Sequence, residues 1–359
     1  MTVFVEVVTM TEQTERTERT ERTERTERTE RTELSEQYEV IVIGGGAAGL
    51  SAALVLGRAR RRTLVIDAGE PRNAPAAHMQ GYLSRDGFPP AEFLAMGREE
   101  IARYGVELVR DRATNVTRNH DGQTFTATLA TGRSIQARRL VIATGLKDEL
   151  PPVPGLADRF GRDVLHCPYC HGWEVQDQPF GVLATTPRSV HQALMVSQWS
   201  KDVTLFLHTV PEDALPDEDL RRLAAAGVSV VPGEVSELLI EADRLTGLRL
   251  TNGTTHDRSI LFVAPRPIPQ TTLLRQLGAE LQETPFGAYP VVDATGQTTA
   301  PGVWTAGNAM GFSEQVINAA AAGYRAGATI NGELLMTDLD NLSPSWGSPR
   351  SSEAESGGV

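Results

Sequence analysis

The sequence predicts an α/β chain with two Rossmann-like, three-layer domains, on three observations. Residues 39–43 (EVIVI) are a short β-branched run of the kind that forms a buried parallel strand, and a glycine-rich turn and a helix-forming run follow at once. Residues 180–184 (FGVLA) and 202–207 repeat the strand character around a second helix, but without the glycines. With 33 glycines and 21 prolines, a chain of 359 residues suits an enzyme with many tight loops and two cores.

The first turn is Gly44-Gly45-Gly46-Ala47-Ala48-Gly49, a G-x-G-x-x-G between strand and helix. Gly44 permits the tight turn, Gly46 lets backbone approach a pyrophosphate, and Gly49 lets helix pack on strand. The helix N-terminus, at Ala47 and Ala48, offers free N–H groups to phosphates. Thr63 to Asp67 is a second buried strand, and Asp67 stands where a carboxylate bonds a ribose hydroxyl. Arg58 and Arg60 to Arg62 close the helix, where its dipole favours cations.

Next comes a polar loop, 78–87, whose His78, Tyr82, Arg85 and Asp86 are either ligand contacts or solvent-facing. Residues 91–104 read as an amphipathic helix with Phe93, Leu94, Met96, Ile101 and Tyr104 as apolar positions. Residues 105–146 read as a β-meander ending in Ala143-Thr144-Gly145, a turn that passes close to a ligand. Pro151 to Gly155 is a rigid crossing between domains.

Cys167 and Cys170 are the only two cysteines, in His166-Cys-Pro-Tyr-Cys-His171. A lone C-x-x-C closes a small reversible disulfide whose thiol pKa is readily lowered. Three other readings stand beside it: a zinc site completed by His166 and His171, a C-x-x-C-H haem attachment, and an inert buried pair. No metal site is expected.

After 180–184, Ala184-Thr185-Thr186 stands where a second nucleotide fingerprint would lie. His208-Thr209-Val210 offers no arginine pair for a 2′-phosphate. The strands VSVVP and ILFVA follow, and Pro265-Arg266-Pro267 returns the chain. Gly307-Asn308-Ala309, Gln315 and Val316 then lead into an Ala-rich helix, 318–329, another N-terminus suited to a cofactor.

Net charge is −12 with a pI near 5.2, which argues against nucleic acid as partner. No stretch approaches a membrane span, and residues 1–10 do not read as a signal peptide, so the cytoplasm is expected. Residues 14–31 are six Thr-Glu-Arg repeats with no apolar face. The expected division is a disordered tail at 1–36, a cofactor domain at 37–150 and 283–335, an inserted domain at 151–282, and a disordered tail at 336–359.

In this order, the elements resemble the low-molecular-weight thioredoxin-reductase family of flavoproteins. The resemblance implies an FAD domain split by an inserted NAD(P)-like domain that carries the C-x-x-C, and a homodimer. It implies FAD on Gly44 to Gly49, Asp67, the Ala143–Gly145 turn, and Asn308, Gln315 and Val316. It also implies that Cys170 faces the flavin while Cys167 exchanges with substrate. His171 replaces the family's usual aspartate and is the acid/base candidate. That histidine, with the lost NADPH fingerprint, resembles the gliotoxin- and holomycin-type dithiol oxidases. The expected function is FAD-dependent oxidation of a small-molecule dithiol by O2. The alternatives are an NAD(P)H-dependent reductase with a thioredoxin-like protein partner, and a non-catalytic redox sensor.

Overall fold

The computed structural model describes residues 37–342. The chain begins with β1 (Gln37–Ile43), α1 (Ala47–Arg58), β2 (Thr63–Asp67), α2 (Pro90–Ala102), β3 (Glu107–Arg110), β4 (Ala113–Arg118), β5 (Phe125–Leu129), β6 (Ser134–Ile142) and β7 (Leu146–Glu149). β3, β2, β1 and β6 run parallel, with Ile41 paired to Leu64 and to Leu140.

Alternation along β1 builds two cores. Val40 and Val42 face the helices with Leu50, Leu56, Leu94 and Ile101. Ile41 and Ile43 face the meander of β4, β5 and β6 with Val116, Phe125 and Leu129. Helices, parallel sheet and meander are the three layers the sequence predicts. β3 is an edge strand of the parallel sheet rather than part of the meander, whose first strand is β4. Met96 and Tyr104 were expected on the apolar face of α2, but are 39% and 42% exposed. The buried stripe is Leu94 and Ile101, and Tyr104 lies beyond the helix beneath the Arg58 guanidinium.

The second body repeats the layering. It comprises α3 (Leu156–Arg159), β8 (Val164–Leu165), α4 (Pro168–His171), β9 (Phe180–Leu183), α5 (Ser189–Val196), β10 (Val203–Phe206), α6 (Asp217–Ala225), β11 (Ser229–Val231), β12 (Val235–Glu241), β13 (Arg244–Leu250), β14 (Thr255–Asp257) and β15 (Ile260–Val263). Its parallel sheet has the order β11-β10-β9-β15-β8. Phe180, Val182 and Phe262 face α5 and α6, while Leu183, Phe206 and Leu261 face the β12–β14 meander.

The chain returns through β16 (Arg266–Pro269), antiparallel to β7, so a two-stranded ribbon joins the bodies. α7 (Thr272–Gln276) follows. Leu273, Leu274 and Ala279 pack in the first core, so the segment expected to remain in the inserted domain up to 282 is already back on the first body there. β17 (Leu281–Thr284), β18 (Gly287–Pro290) and β19 (Val303–Thr305) lead to α8 (Val316–Leu342). β19 joins the first sheet beside β6. α8 runs past the expected 318–329 and continues helical through 336–342, part of the span expected to be disordered. The expected tails at 1–36 and 343–359 lie outside the described residues. No helix among the described residues is long and apolar enough to cross a membrane.

Candidate active site

A cavity of about 2420 Å³ lies between the two bodies. The β1–α1 turn forms its floor. Gly44 is left-handed at φ 112°, and a side chain there would run into the Ala143 carbonyl. Gly49 lies behind the cavity, against the Gly44 carbonyl. Gly46 has no heavy atom within 4 Å of where a Cβ would stand, and it lines the cavity. It precedes α1 without capping it through a side chain, so the amides of Ala47 and Ala48 are at the helix N-terminus.

Asp67 ends β2 in the same cavity. Its Oδ1 accepts from the amides of Gly45, at 3.2 Å, and Gly69, at 3.1 Å. Its Oδ2 pairs with Arg110, whose side chain is half exposed. A carboxylate oxygen accepts more than one hydrogen bond, which leaves capacity for a ribose hydroxyl. The Ala143–Gly145 turn lines the wall, and Thr144 Oγ1 donates to the Gln270 carbonyl at 2.9 Å.

Asn308 and Val316 also line the cavity. The Asn308 amide donates to the carbonyls of Gly311 and Phe312, and its Oδ1 accepts from Arg72 at 3.4 Å. Arg72 forms a two-pronged pair with Asp148, at 2.8 and 2.9 Å. Neither Arg72 nor Asp148 carried a motif, and nothing in their local sequence marks them. Of the four loop residues singled out from the sequence, His78 reaches the cavity, beside Met79 and Gln80. Tyr82 packs on Phe93, Arg85 over Phe88, and Asp86 accepts from the Gly81 amide.

The thiol pair enters from the other body. Cys167 follows β8 and sits at the N-terminus of α4, with Pro168 in the first helical position. The Cys170 amide donates to the Cys167 carbonyl at 3.2 Å, which closes the turn that holds the two cysteines together. Both thiols are free and partly buried. A hydrogen bond from the Cys170 thiol brings Cys167 down to about 7, helped by the Gln315 amide and opposed by burial. The same bond, burial and the Cys167 charge push Cys170 up. His171 lines the cavity, and burial holds its pKa below the ordinary histidine value against the pull of Glu174. No hydrogen bond among the described residues joins His171 to either sulfur. The His166 Nδ1 is 3.2 Å from the Val263 carbonyl, and burial lowers its pKa as well.

Gln315, expected from the family resemblance to touch a flavin, is found against the thiols. Its Oε1 accepts from Cys170 at 3.4 Å and its Nε2 donates to Cys167 at 3.6 Å.

The turn after β9 is the counterpart of the glycine-rich turn. Here the amides of Thr185 and Thr186 donate to the Ser189 hydroxyl, at 3.2 and 3.5 Å. His208, in the left-handed region at φ 51°, turns Nδ1 to the Val235 amide. Of the cations at this end of the cavity, Arg222 is paired with Glu218 and Arg266 with Glu149. Arg188 lies over the Phe286 ring, which stacks on Phe312.

The model of the pyridine nucleotide-disulphide oxidoreductase family matches residues 38–323. The chain belongs to this family. Thioredoxin reductase sirT of Leptosphaeria maculans is 31% identical over 317 residues, covering 84% of this chain and 96% of that protein. The crystal structure of HlmI shares 46% identity at a TM-score of 0.81, covering 85% of this chain and 95% of that one. An oxidoreductase from Agrobacterium tumefaciens shares 37% identity at a TM-score of 0.77, covering 84% of this chain and 99% of that one. The resemblance to thioredoxin reductases, and to the gliotoxin- and holomycin-type enzymes among them, holds. This member of the pyridine nucleotide-disulphide oxidoreductases is a thioredoxin-reductase-like flavoenzyme whose cofactor is FAD. The cavity fits that group: Gly46 leaves room at an open helix N-terminus, and Asp67 lies one strand away.

Proposed function

We propose that this flavoenzyme oxidises a small-molecule dithiol to a disulfide, with dioxygen as the final electron acceptor. The carrying observation is the Ser189 hydroxyl on the Thr185 and Thr186 amides. Those amides stand where a second nucleotide's phosphates would bond, and they are already satisfied within the chain. Electrons therefore enter from a dithiol rather than from NADPH.

In this reading Gly46, Ala47, Ala48, Asp67 and Asn308 hold FAD. When bound there, FAD would supply a two-electron acceptor for the reduced cysteine pair and a route for those electrons to dioxygen, with hydrogen peroxide as product. The protein's own part is thiol exchange. A substrate thiolate attacks Cys167 in the Cys167–Cys170 disulfide, forming a mixed disulfide and releasing Cys170. The second substrate thiolate attacks the substrate sulfur of that bond, closing the product disulfide and releasing Cys167. Cys167 leaves readily from this mixed disulfide because its pKa is drawn down to about 7. His171, held neutral by burial, accepts a proton from the incoming thiols.

The name of the sirT relative favours a second reading, an NAD(P)H-dependent reductase acting on a thioredoxin-like protein. Anaerobic titration separates the two. The flavin colour should bleach with dithiothreitol within the mixing experiment and persist with NADPH. Rapid bleaching by stoichiometric NADPH would reverse the direction of electron flow and establish the reductase.

A further inference from the structure

We propose that Gln315 sets the redox poise of the thiol pair: one amide, carried by the flavin-side body, bridges both sulfurs and stabilises the reduced pair over the disulfide. The two contacts differ in kind. Oε1 accepts at 3.4 Å from the Cys170 S–H, whose single proton it shares with the Cys167 sulfur, and Nε2–H donates to the Cys167 sulfur at 3.6 Å. An acceptor facing Cys170 needs a proton on that sulfur, and a donor facing Cys167 suits a thiolate. Together they match one state, the reduced pair with its proton on Cys170 and its charge on Cys167. The disulfide carries no proton, so there Oε1 loses its donor and the N–H meets only a weak sulfur acceptor.

The amide is well placed to discriminate. Gln315 immediately precedes α8, and its carbonyl accepts from the Ala319 amide at 2.8 Å, so the helix fixes its backbone. The other charged or titratable groups facing the pair are Arg72 with its partner Asp148, His166 and His171 with Glu174 behind it, and Glu314 beside Gln315. Cys167 is drawn down to about 7 first by the Cys170 hydrogen bond, and the Gln315 amide adds a smaller pull in the same direction.

Stabilising the reduced pair makes the disulfide a stronger oxidant. A substrate dithiol gives two electrons and two protons; one proton remains on Cys170 and the other leaves to solvent. The inference rests on the reading of Cys167 and Cys170 as an exchanging pair, and it does not depend on what reoxidises them.

The test equilibrates wild-type and Gln315→Leu holoenzyme anaerobically in glutathione buffers of graded ratio. The cysteines are then trapped by alkylation and counted by mass spectrometry. The reduction equilibrium should fall about tenfold in Gln315→Leu, which is about 30 mV toward a weaker oxidant. A second readout is the pH dependence of alkylation of reduced Cys167. Gln315→Glu exchanges the donor for an anion and should move the midpoint upward from about 7. If Gln315→Leu sheds flavin or fails to fold, this near-isosteric variant carries the test alone. A wild-type pair that never oxidises in any buffer would sink the exchange reading itself. A wild-type pair that titrates normally, alongside variants with the same ratio and the same pH midpoint, would sink only the role of Gln315.

Discussion

At the scale of single residues, the three fingerprint glycines do different work. Gly44 and Gly49 face backbone, and a side chain at either collides with the chain itself. Gly46 faces open cavity with φ −79° and ψ −173°, a conformation any residue adopts. Gly46→Val should therefore fold with the urea midpoint of flavin-stripped wild type and yet purify without flavin colour, because only the phosphates lose their space. Full flavin occupancy in that variant would remove the turn from the cofactor site. These roles were legible because backbone geometry dictates glycine locally. Arg72 and Gln315 were not legible as neighbours of Asp148 and the thiols. Their partners lie far along the chain, and an arginine or a glutamine has no local signature for such a contact.

At the scale of elements, strand character and helix periodicity located most of both sheets, since buried parallel strands leave continuous apolar runs. The β12–β14 meander was missed because its strands are half exposed, with charged residues on the outer face that break up the apolar run. The small residues of α8 pack helix on helix, against α1. A side chain at Gly323 would run into the Ala48 carbonyl of α1, whereas one at Gly332 meets nothing within 4 Å. The same substitution should then have opposite signs on one helix. Gly332→Ala should stabilise by about 0.5–1 kcal/mol through helix propensity. Gly323→Ala should cost about 1–3 kcal/mol, because a backbone carbonyl yields less than the propensity gain returns. Urea unfolding of both variants reads the signs; two shifts in the same direction would mean that α1 and α8 separate freely.

At the scale of the whole molecule, the cavity joins two bodies that the sequence could order but not orient. The split first domain was what the family resemblance implied. The docked arrangement depends on contacts with no local signal: the β7–β16 ribbon, the Arg188–Phe286 contact, and Gln315 on the thiols. Every described residue lining the cavity falls between Ile43 and Ala319. The Thr-Glu-Arg repeats at 14–31 lie outside the described residues, and they distinguish an enzyme from a sensor that acts through a tail. If the chemistry resides in the cavity, removal of residues 1–36 leaves it intact, since β1 begins at Gln37 and pairs on both sides from within the remaining chain. The shortened chain should keep its flavin and turn over a dithiol, with peroxide formed, within about twofold of the full-length rate, a barrier change under about 0.5 kcal/mol. Loss of turnover with flavin and fold retained would move the function to the tail and favour a redox sensor over an oxidase.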